Sequence, residues 1–142
     1  ETPLAEPSGA CEDSDIVATP KVKGAAHAGS RVTFRVKLTT IESPACTWRV
    51  SSGSLAVKLV SGNDRIWSSQ DCPASIPSTD VVVRQEHPAK VDLTWRGRRS
   101  DSSCSNTALW AQPGWYHLQA AAFGAEPNAQ VSLVDAAMPG IS

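Results

Sequence analysis

The stretch RVTFRVKL, residues 31–38, decides the fold class of this 142-residue chain. Apolar and polar residues alternate along it, and the apolar set is Val32, Phe34, Val36 and Leu38. The polar set is Arg31, Thr33, Arg35 and Lys37. Because successive side chains of a β-strand point to opposite faces, this pattern predicts a half-buried antiparallel strand with one face in water.

The same alternation recurs along the chain, in SLAVKLV (54–60), KVDLTW (90–95), WYHLQAAA (115–122) and AQVSLV (129–134). The residues predicted to point inward are Leu55, Val57, Leu59, Val91, Leu93, Trp95, Tyr116, Leu118, Ala120, Val131 and Leu133. DIVATPKV (15–22) and DVVVRQ (80–85) are shorter candidates, and SGND (61–64) predicts a hairpin turn into RIWSS (65–69). We expect an all-β, immunoglobulin-like antiparallel β-sandwich of about seven strands with two disulfides. Alanines in residues 115–123 could favour a helix, but Pro113-Gly114 and Gly124 bound the segment as a strand.

Four widely spaced cysteines, Cys11, Cys46, Cys72 and Cys104, indicate two disulfides rather than a metal site. Three pairings are open. If the first two strands pair antiparallel, the start of one lies near the end of the other, which favours Cys11–Cys46 together with Cys72–Cys104. Disulfides indicate an oxidising compartment, so we expect an extracytoplasmic location, in the cell envelope or secreted.

Composition divides the chain into a linker at 1–10, a β-sandwich domain at 11–135 and a tail at 136–142. The formal net charge of −1 provides no global field for nucleic acid, so we expect no nucleic-acid partner. No apolar run approaches the ~18 residues of a membrane span, so we expect contact with a membrane only through an anchor outside this chain.

The order of "PAC" (44–46), "SGNDRIWSSQDCP" (61–73), "VDLTWRGRRSDSSC" (91–104) and "PGWYHLQAAA" (113–122) resembles a group of actinobacterial extracytoplasmic domains of unknown function. Such domains usually follow an N-terminal membrane anchor. The strand–WSS–strand–PGxY layout is also similar to bacterial intracellular-proteinase-inhibitor-like immunoglobulin folds. The resemblance spans Cys11 to Val134 and implies no catalytic residues. The four cysteines depart from the inhibitor pattern, because a cytoplasmic inhibitor has no need of them.

The sequence offers little support for a catalytic site or a metal site. We therefore predict no catalytic residues, no bound metal and no cofactor. Ser68 and Ser69 lack the glycine pattern of a nucleophile elbow, and we interpret RIWSSQDCP (65–73) as the structural end of a strand. The acidic run CEDSD (11–15) lacks the spacing of a calcium-binding loop.

Two sets of residues are candidate binding sites. Arg96, Arg98 and Arg99 form a local basic patch, expected in a turn beside Cys104, that could bind phosphate or carboxylate groups. The alternative is a solvated turn in which these arginines pair with Asp92 and Asp101. Exposed tryptophans are the second candidate, and that set is Trp48, Trp110 and Trp115; the alternative is that they cover the ends of the sandwich.

These residues predict a non-catalytic extracytoplasmic domain of the bacterial cell envelope that binds or scaffolds, as the outer part of a membrane-anchored protein. Its partner would be an envelope protein or polymer. One alternative is a secreted proteinase-inhibitor-like module that presents the loop SQDCPASIPSTD (69–80), and a second is a hydrolase with a convergent site.

Overall fold

The computed structural model describes residues 4–24, 29–105, 107–112, 114–123 and 128–134. Nine strands occur in these ranges: β1 Ile16–Lys23, β2 Val32–Thr40, β3 Ala45–Val50, β4 Leu55–Ser61, β5 Asp64–Ser68, β6 Thr79–Arg84, β7 Ala89–Trp95, β8 Gly114–Ala122 and β9 Asn128–Val134. Two short 3₁₀ turns, Asp13–Asp15 and Pro73–Ser75, complete the regular structure. The predicted tail at 136–142 and two turn residues, Pro113 and Gly124, lie outside the described residues.

The strands form three antiparallel sheets, ordered β1-β2-β7, β3-β6 and β5-β4-β8-β9. Strand β1 lies against β8 and β9, so the first and third sheets face each other. The predicted immunoglobulin-like antiparallel sandwich is therefore confirmed, with nine described strands rather than about seven. The described residues contain no helix of the length and apolarity that crossing a bilayer requires.

Strand β2 carries the centre of the core. Its four predicted inward residues are buried, and Phe34 and Val36 are 0% exposed. The Phe34 ring stacks on Trp95 of β7 at 5.9 Å between centroids and meets Trp67 of β5 at 6.0 Å. Since β5 belongs to the four-stranded sheet, Phe34 joins the two facing sheets.

The other inward faces are confirmed on β4, β7 and β8, where every predicted inward residue is buried. Residues 114–122 form a strand, so turn signals and alternation outweighed the helix propensity of the alanines. Val131 and Leu133 fall in β9, whose side chains lie outside the described structure. The Tyr116 hydroxyl donates a hydrogen bond to the Gln112 carbonyl oxygen, which is the tyrosine corner of Greek-key sandwiches.

Strand β3 was missed from the sequence, and the expectation that Trp48 is exposed was wrong for that reason. Trp48 lies on β3, is 3% exposed and donates its indole N–H to the Asp13 carboxylate at 2.9 Å. Its alternation with Val50, around the exposed Arg49, is a strand signal, but it covers too few residues to stand out beside RVTFRVKL.

Both predicted disulfides are present, Cys11–Cys46 and Cys72–Cys104, with Cα atoms 5.0 and 5.1 Å apart. Cys11 reaches Cys46 because residues 8–11 run beside β3, where the Cys11 amide donates to the Thr47 carbonyl at 2.9 Å. Both bonds join segments more than 30 residues apart in sequence, so they restrict the unfolded chain considerably.

Candidate functional site

The outward face of the β1-β2-β7 sheet is strongly basic. Seven side chains form this basic face: Lys21, Lys23, Arg31, Arg35, Lys37, Lys90 and Arg96. Together with Arg98 they account for eight of the chain's 13 lysine and arginine residues. On the outward positions of these three strands, all within the described ranges, Asp92 is the one acidic residue among 14 in the chain.

Strand register brings these charges together. Lys37 lies opposite Lys90, and Arg35 lies between Lys21 on one side and Asp92 on the other. Like charges directly opposite each other in a sheet are destabilising, so the Lys37–Lys90 pair contributes nothing evident to folding.

Asp92 holds the middle of the basic face. Arg35 donates Nε to Asp92 Oδ1 at 2.8 Å and Nη2 to Oδ2 at 3.1 Å, and Lys23 Nζ donates to Oδ2 at 3.2 Å. The hydrogen bond from Arg35 is the main cause that lowers the pKa of the Asp92 carboxyl to about 2, with Lys23 adding to it. The ion pair therefore persists to low pH.

Asp92→Asn is expected to lower the free energy of unfolding at neutral pH by about 1 kcal/mol. This value is reduced for solvent screening, because about a third of the Asp92 side chain is exposed. A lowered folded-state pKa gives stability that is present above the unfolded-state pKa and lost as pH falls. The difference between parent and variant should therefore shrink from about pH 4 towards pH 2. Urea unfolding of both proteins between pH 2 and pH 7 measures this difference, and a difference that does not change with pH would contradict the assigned role of the Asp92 ion pair.

At one end of the basic face, the β2–β7 ladder continues into a cleft. Val32 pairs with Trp95, so the next step sets Arg31 opposite Arg96 and Ser30 opposite Gly97. The backbones approach so closely here that a Cβ on Gly97 would lie 2.5 Å from the Ser30 carbonyl oxygen. Gly97 also has φ +86°, which favours glycine.

Arg98 and Trp110 form the wall of this cleft. Residues 97–99 and 109–111 pair as a short antiparallel ribbon. Arg98 lies opposite Trp110 in this ribbon, and the Ala111 amide donates a hydrogen bond to the Gly97 carbonyl oxygen at 2.9 Å. The Arg98 guanidinium lies 3.8 Å from the centroid of the Trp110 ring and donates to the Ala108 carbonyl at 2.8 Å. The cleft is open, measures about 430 Å³ and is lined by Gly29, Ser30, Arg31, Arg96, Arg98 and Trp110.

The predicted arginine patch is thus divided. Arg96 does lie beside Cys104, to which it donates at 3.1 Å from Nη2 to Sγ, and it lines the cleft with Arg98. Arg99 is engaged elsewhere, in a two-pronged ion pair with Asp64 at 2.7 and 3.0 Å that lowers the pKa of the Asp64 carboxyl. The predicted pairing with Asp92 and Asp101 was wrong, because Asp92 binds Arg35 and Asp101 accepts from loop residues 103 and 105.

Outside the basic face and cleft, three of the four described arginines have carboxylate partners. Besides the Arg99–Asp64 pair, Arg49 lies 3.3 Å from Asp80, and Arg65 lies 3.0 Å from Asp71, whereas Arg84 donates to the Ala5 carbonyl oxygen at 2.9 Å. The outward positions of β1, β2 and β7 carry one carboxylate, Asp92.

Of the predicted exposed tryptophans, Trp110 and Trp115 are exposed, by 41% and 66%. Trp110 lies in the cleft, whereas Trp115 is on β8 of the opposite sheet, where its carbonyl accepts from the Ser61 hydroxyl at 3.0 Å. The structure therefore brings Trp110 together with two of the predicted arginines and leaves Trp115 apart from them.

The serines of RIWSSQDCP are buried and bond to the backbone. Ser69 Oγ accepts from the Val57 amide at 2.9 Å, and Ser68 Oγ accepts from the Gln70 amide at 3.1 Å. These contacts join β5 to β4 and shape the turn after it, which is the structural role predicted for the stretch.

Part of the loop at 69–80 is fixed to the domain. Cys72 is held by its disulfide, Ile76 is 5% exposed, and Asp71 is bonded by Arg65. The 3₁₀ turn Pro73–Ser75 compacts its middle. Exposed residues remain on both sides of Ile76, at 73–74 and at 78–80.

The acidic run CEDSD has structural contacts. Asp13 accepts from Trp48, and Asp15 accepts three backbone N–H groups of residues 41–43 at 2.8 to 3.2 Å. These bonds fasten the β2–β3 connection at the end of β2 that is farthest from the cleft.

Most of the basic face was not predicted to be a binding site from the sequence. The signal was present, because three polar positions of RVTFRVKL are Arg31, Arg35 and Lys37. It was interpreted only as a solvated face, since strand pairing, which adds Lys21, Lys23 and Lys90 to the same surface, cannot be read from one strand.

No family model and no curated protein matches the chain. Solved structures do match, among them the CARDB domain of a Pyrococcus furiosus protein, at 9% identity and a TM-score of 0.43, covering 86% of this chain and 95% of that one. Another is the sporulation control protein Spo0M of Bacillus subtilis, at 10% identity and a TM-score of 0.43, covering 85% of this chain and 49% of that one.

Proposed function

We propose that this domain is a non-catalytic, extracytoplasmic binding domain of the bacterial cell envelope, the outer part of a membrane-anchored protein, and that it binds anionic groups on its basic face. The observation that carries the proposal is the separation of charge: seven cationic side chains and one carboxylate share one sheet face, on a chain of net charge −1.

Chemistry supports this use of the face. Guanidinium and ammonium groups form charge-assisted hydrogen bonds with phosphate and carboxylate oxygens. Phosphate or carboxylate groups repeated along an envelope polymer or lipid surface would engage several of these side chains together. The two disulfides fit an oxidising compartment outside the cytoplasmic membrane.

Replacing Lys37 and Lys90 together with glutamine tests the proposal. Because these like charges lie opposite each other, their removal should leave the free energy of unfolding equal or raise it by up to about 0.5 kcal/mol. Affinity for soluble poly(glycerol phosphate), measured by calorimetry at low salt, should fall about tenfold, with a weaker dependence on salt.

Lys58→Gln is the matched control. Lys58 is an exposed strand lysine on β4 of the opposite sheet, so its replacement should leave binding of the polymer unchanged. An equal loss of binding free energy for each charge removed, in the control and in the double variant, would indicate a response to net charge alone. Failure of the parent domain to bind the polymer or any anionic surface would refute the proposed function.

A further inference from the structure

The basic face spreads in two dimensions over the surface of a sheet, which distinguishes it from a groove. Its charges lie on three neighbouring strands, over about 20 Å along the strands from Arg31 to Lys37 and about 10 Å across them. A single polymer chain fits best in a groove that follows it. A planar array of cations is complementary to a planar array of anions.

An apolar side chain stands at the rim of this array. Trp110 borders the cleft beside Arg31 and Arg96 and is 41% exposed. Tryptophan favours the boundary between lipid headgroups and acyl chains, since its ring is apolar and its N–H is polar.

We propose that the basic face docks on an anionic phospholipid bilayer, with headgroup phosphates at the face and the cleft and with Trp110 in the interfacial layer. This inference rests on the proposed function and specifies its partner. It also departs from the expectation that the chain meets a membrane only through an anchor outside it.

Charge at the two ends of the domain sets the orientation. Glu12, Asp15 and Glu42 line a second, acidic pocket beside the end of β2 at Ile41. The nine residues of β2 separate it from the cleft by about 30 Å. Screening in salt acts over about 10 Å, so a bilayer near the cleft meets the local positive field and not the net charge of −1.

Vesicle binding separates the lipid from other anions. The whole domain should sediment with phosphatidylglycerol vesicles and not with phosphatidylcholine vesicles. Lys37→Gln with Lys90→Gln should lower binding about 25-fold, at about fivefold for each cation near the surface. Trp110→Ser should weaken vesicle binding severalfold and weaken binding to poly(glycerol phosphate) less.

Ile41→Ser is the control for Trp110→Ser. Ile41 is also an exposed apolar residue, at 55%, but it lies at the acidic end of β2. Its replacement should not change vesicle binding. An equal loss in both variants would overturn the proposed orientation.

Quenching by lipids brominated along the acyl chain locates the tryptophan. The tryptophan fluorescence of the bound parent domain should be quenched. Most of this quenching should be lost in Trp110→Phe and should remain in Trp115→Phe. Quenching that persists without Trp110 would overturn the docking geometry. Binding to poly(glycerol phosphate) without binding to anionic vesicles would overturn the lipid inference and leave the proposed function standing, whereas binding to neither would refute both.

Discussion

Replacing Phe34 with alanine is expected to lower the free energy of unfolding by about 4 kcal/mol, the range found for truncating a fully buried aromatic ring. Phe34 is 0% exposed and contacts Trp95 in its own sheet and Trp67 in the facing one. The cavity would therefore open between the sheets, where neither tryptophan can follow the missing ring without leaving its strand. Chemical denaturation with the disulfides intact measures the effect.

Phe34→Leu is the control that separates the loss of aromatic contacts from the loss of buried volume. Leucine retains much of the buried volume but loses the aromatic contacts, so we expect a cost of about 1–1.5 kcal/mol. If Phe34→Ala costs no more than Phe34→Leu, the ring does not join the two sheets as described.

Gly97→Ala is expected to cost about 3 kcal/mol and to weaken binding of anions as well. The added Cβ would lie 2.5 Å from the Ser30 carbonyl oxygen and 3.3 Å from the Trp110 ring, and φ at this position is +86°. Steric overlap with backbone and an unfavourable φ both contribute. Relief of the overlap must push residue 30 away from the ribbon, which separates Arg31 from Arg96.

Gly24→Ala separates these two causes. Gly24 has a similar φ of +81°, but a Cβ there meets nothing within 4 Å. Its replacement should therefore cost only about 1 kcal/mol, from conformation alone, and leave binding to poly(glycerol phosphate) intact. Equal costs at the two glycines would show that the close approach at Gly97 is not a constraint.

Long, clean alternation made much of the fold predictable. RVTFRVKL, SLAVKLV, KVDLTW and WYHLQAAA each show which side is buried without reference to a partner. The disulfide pairing was predicted correctly from the order of cysteines and strands, but the predicted reason was not: Cys46 lies on β3, and Cys11 reaches it through a parallel contact of the preceding residues with that strand.

Features that depend on pairing between distant strands were harder to predict. Strand β3 is short, and its neighbour along residues 8–11 comes from the segment predicted as a linker. Trp48 appeared exposed because its strand was not recognised. Arg99 appeared to belong to a patch because Asp64, its partner, is 35 residues away in sequence.

The candidate site was predictable in its parts and not in its assembly. Arg96, Arg98 and Trp110 were each identified from local composition, but the ribbon that joins them requires residues 97–99 to meet 109–111. Register between β1, β2 and β7 then extends the site into a basic face. A single sequence shows the charges and does not show that they share a surface.

The contact surface can be measured by titrating nitrogen-15-labelled domain with poly(glycerol phosphate) and following indole and backbone amide resonances. We expect shifts at the Trp110 indole and at the amides of β2 and β7 from the cleft to Lys37 and Lys90, with the Trp115 indole unchanged. Shifts confined to the 69–80 loop, to the acidic pocket around Glu12 and Glu42, or to the Trp115 indole would contradict binding at the basic face.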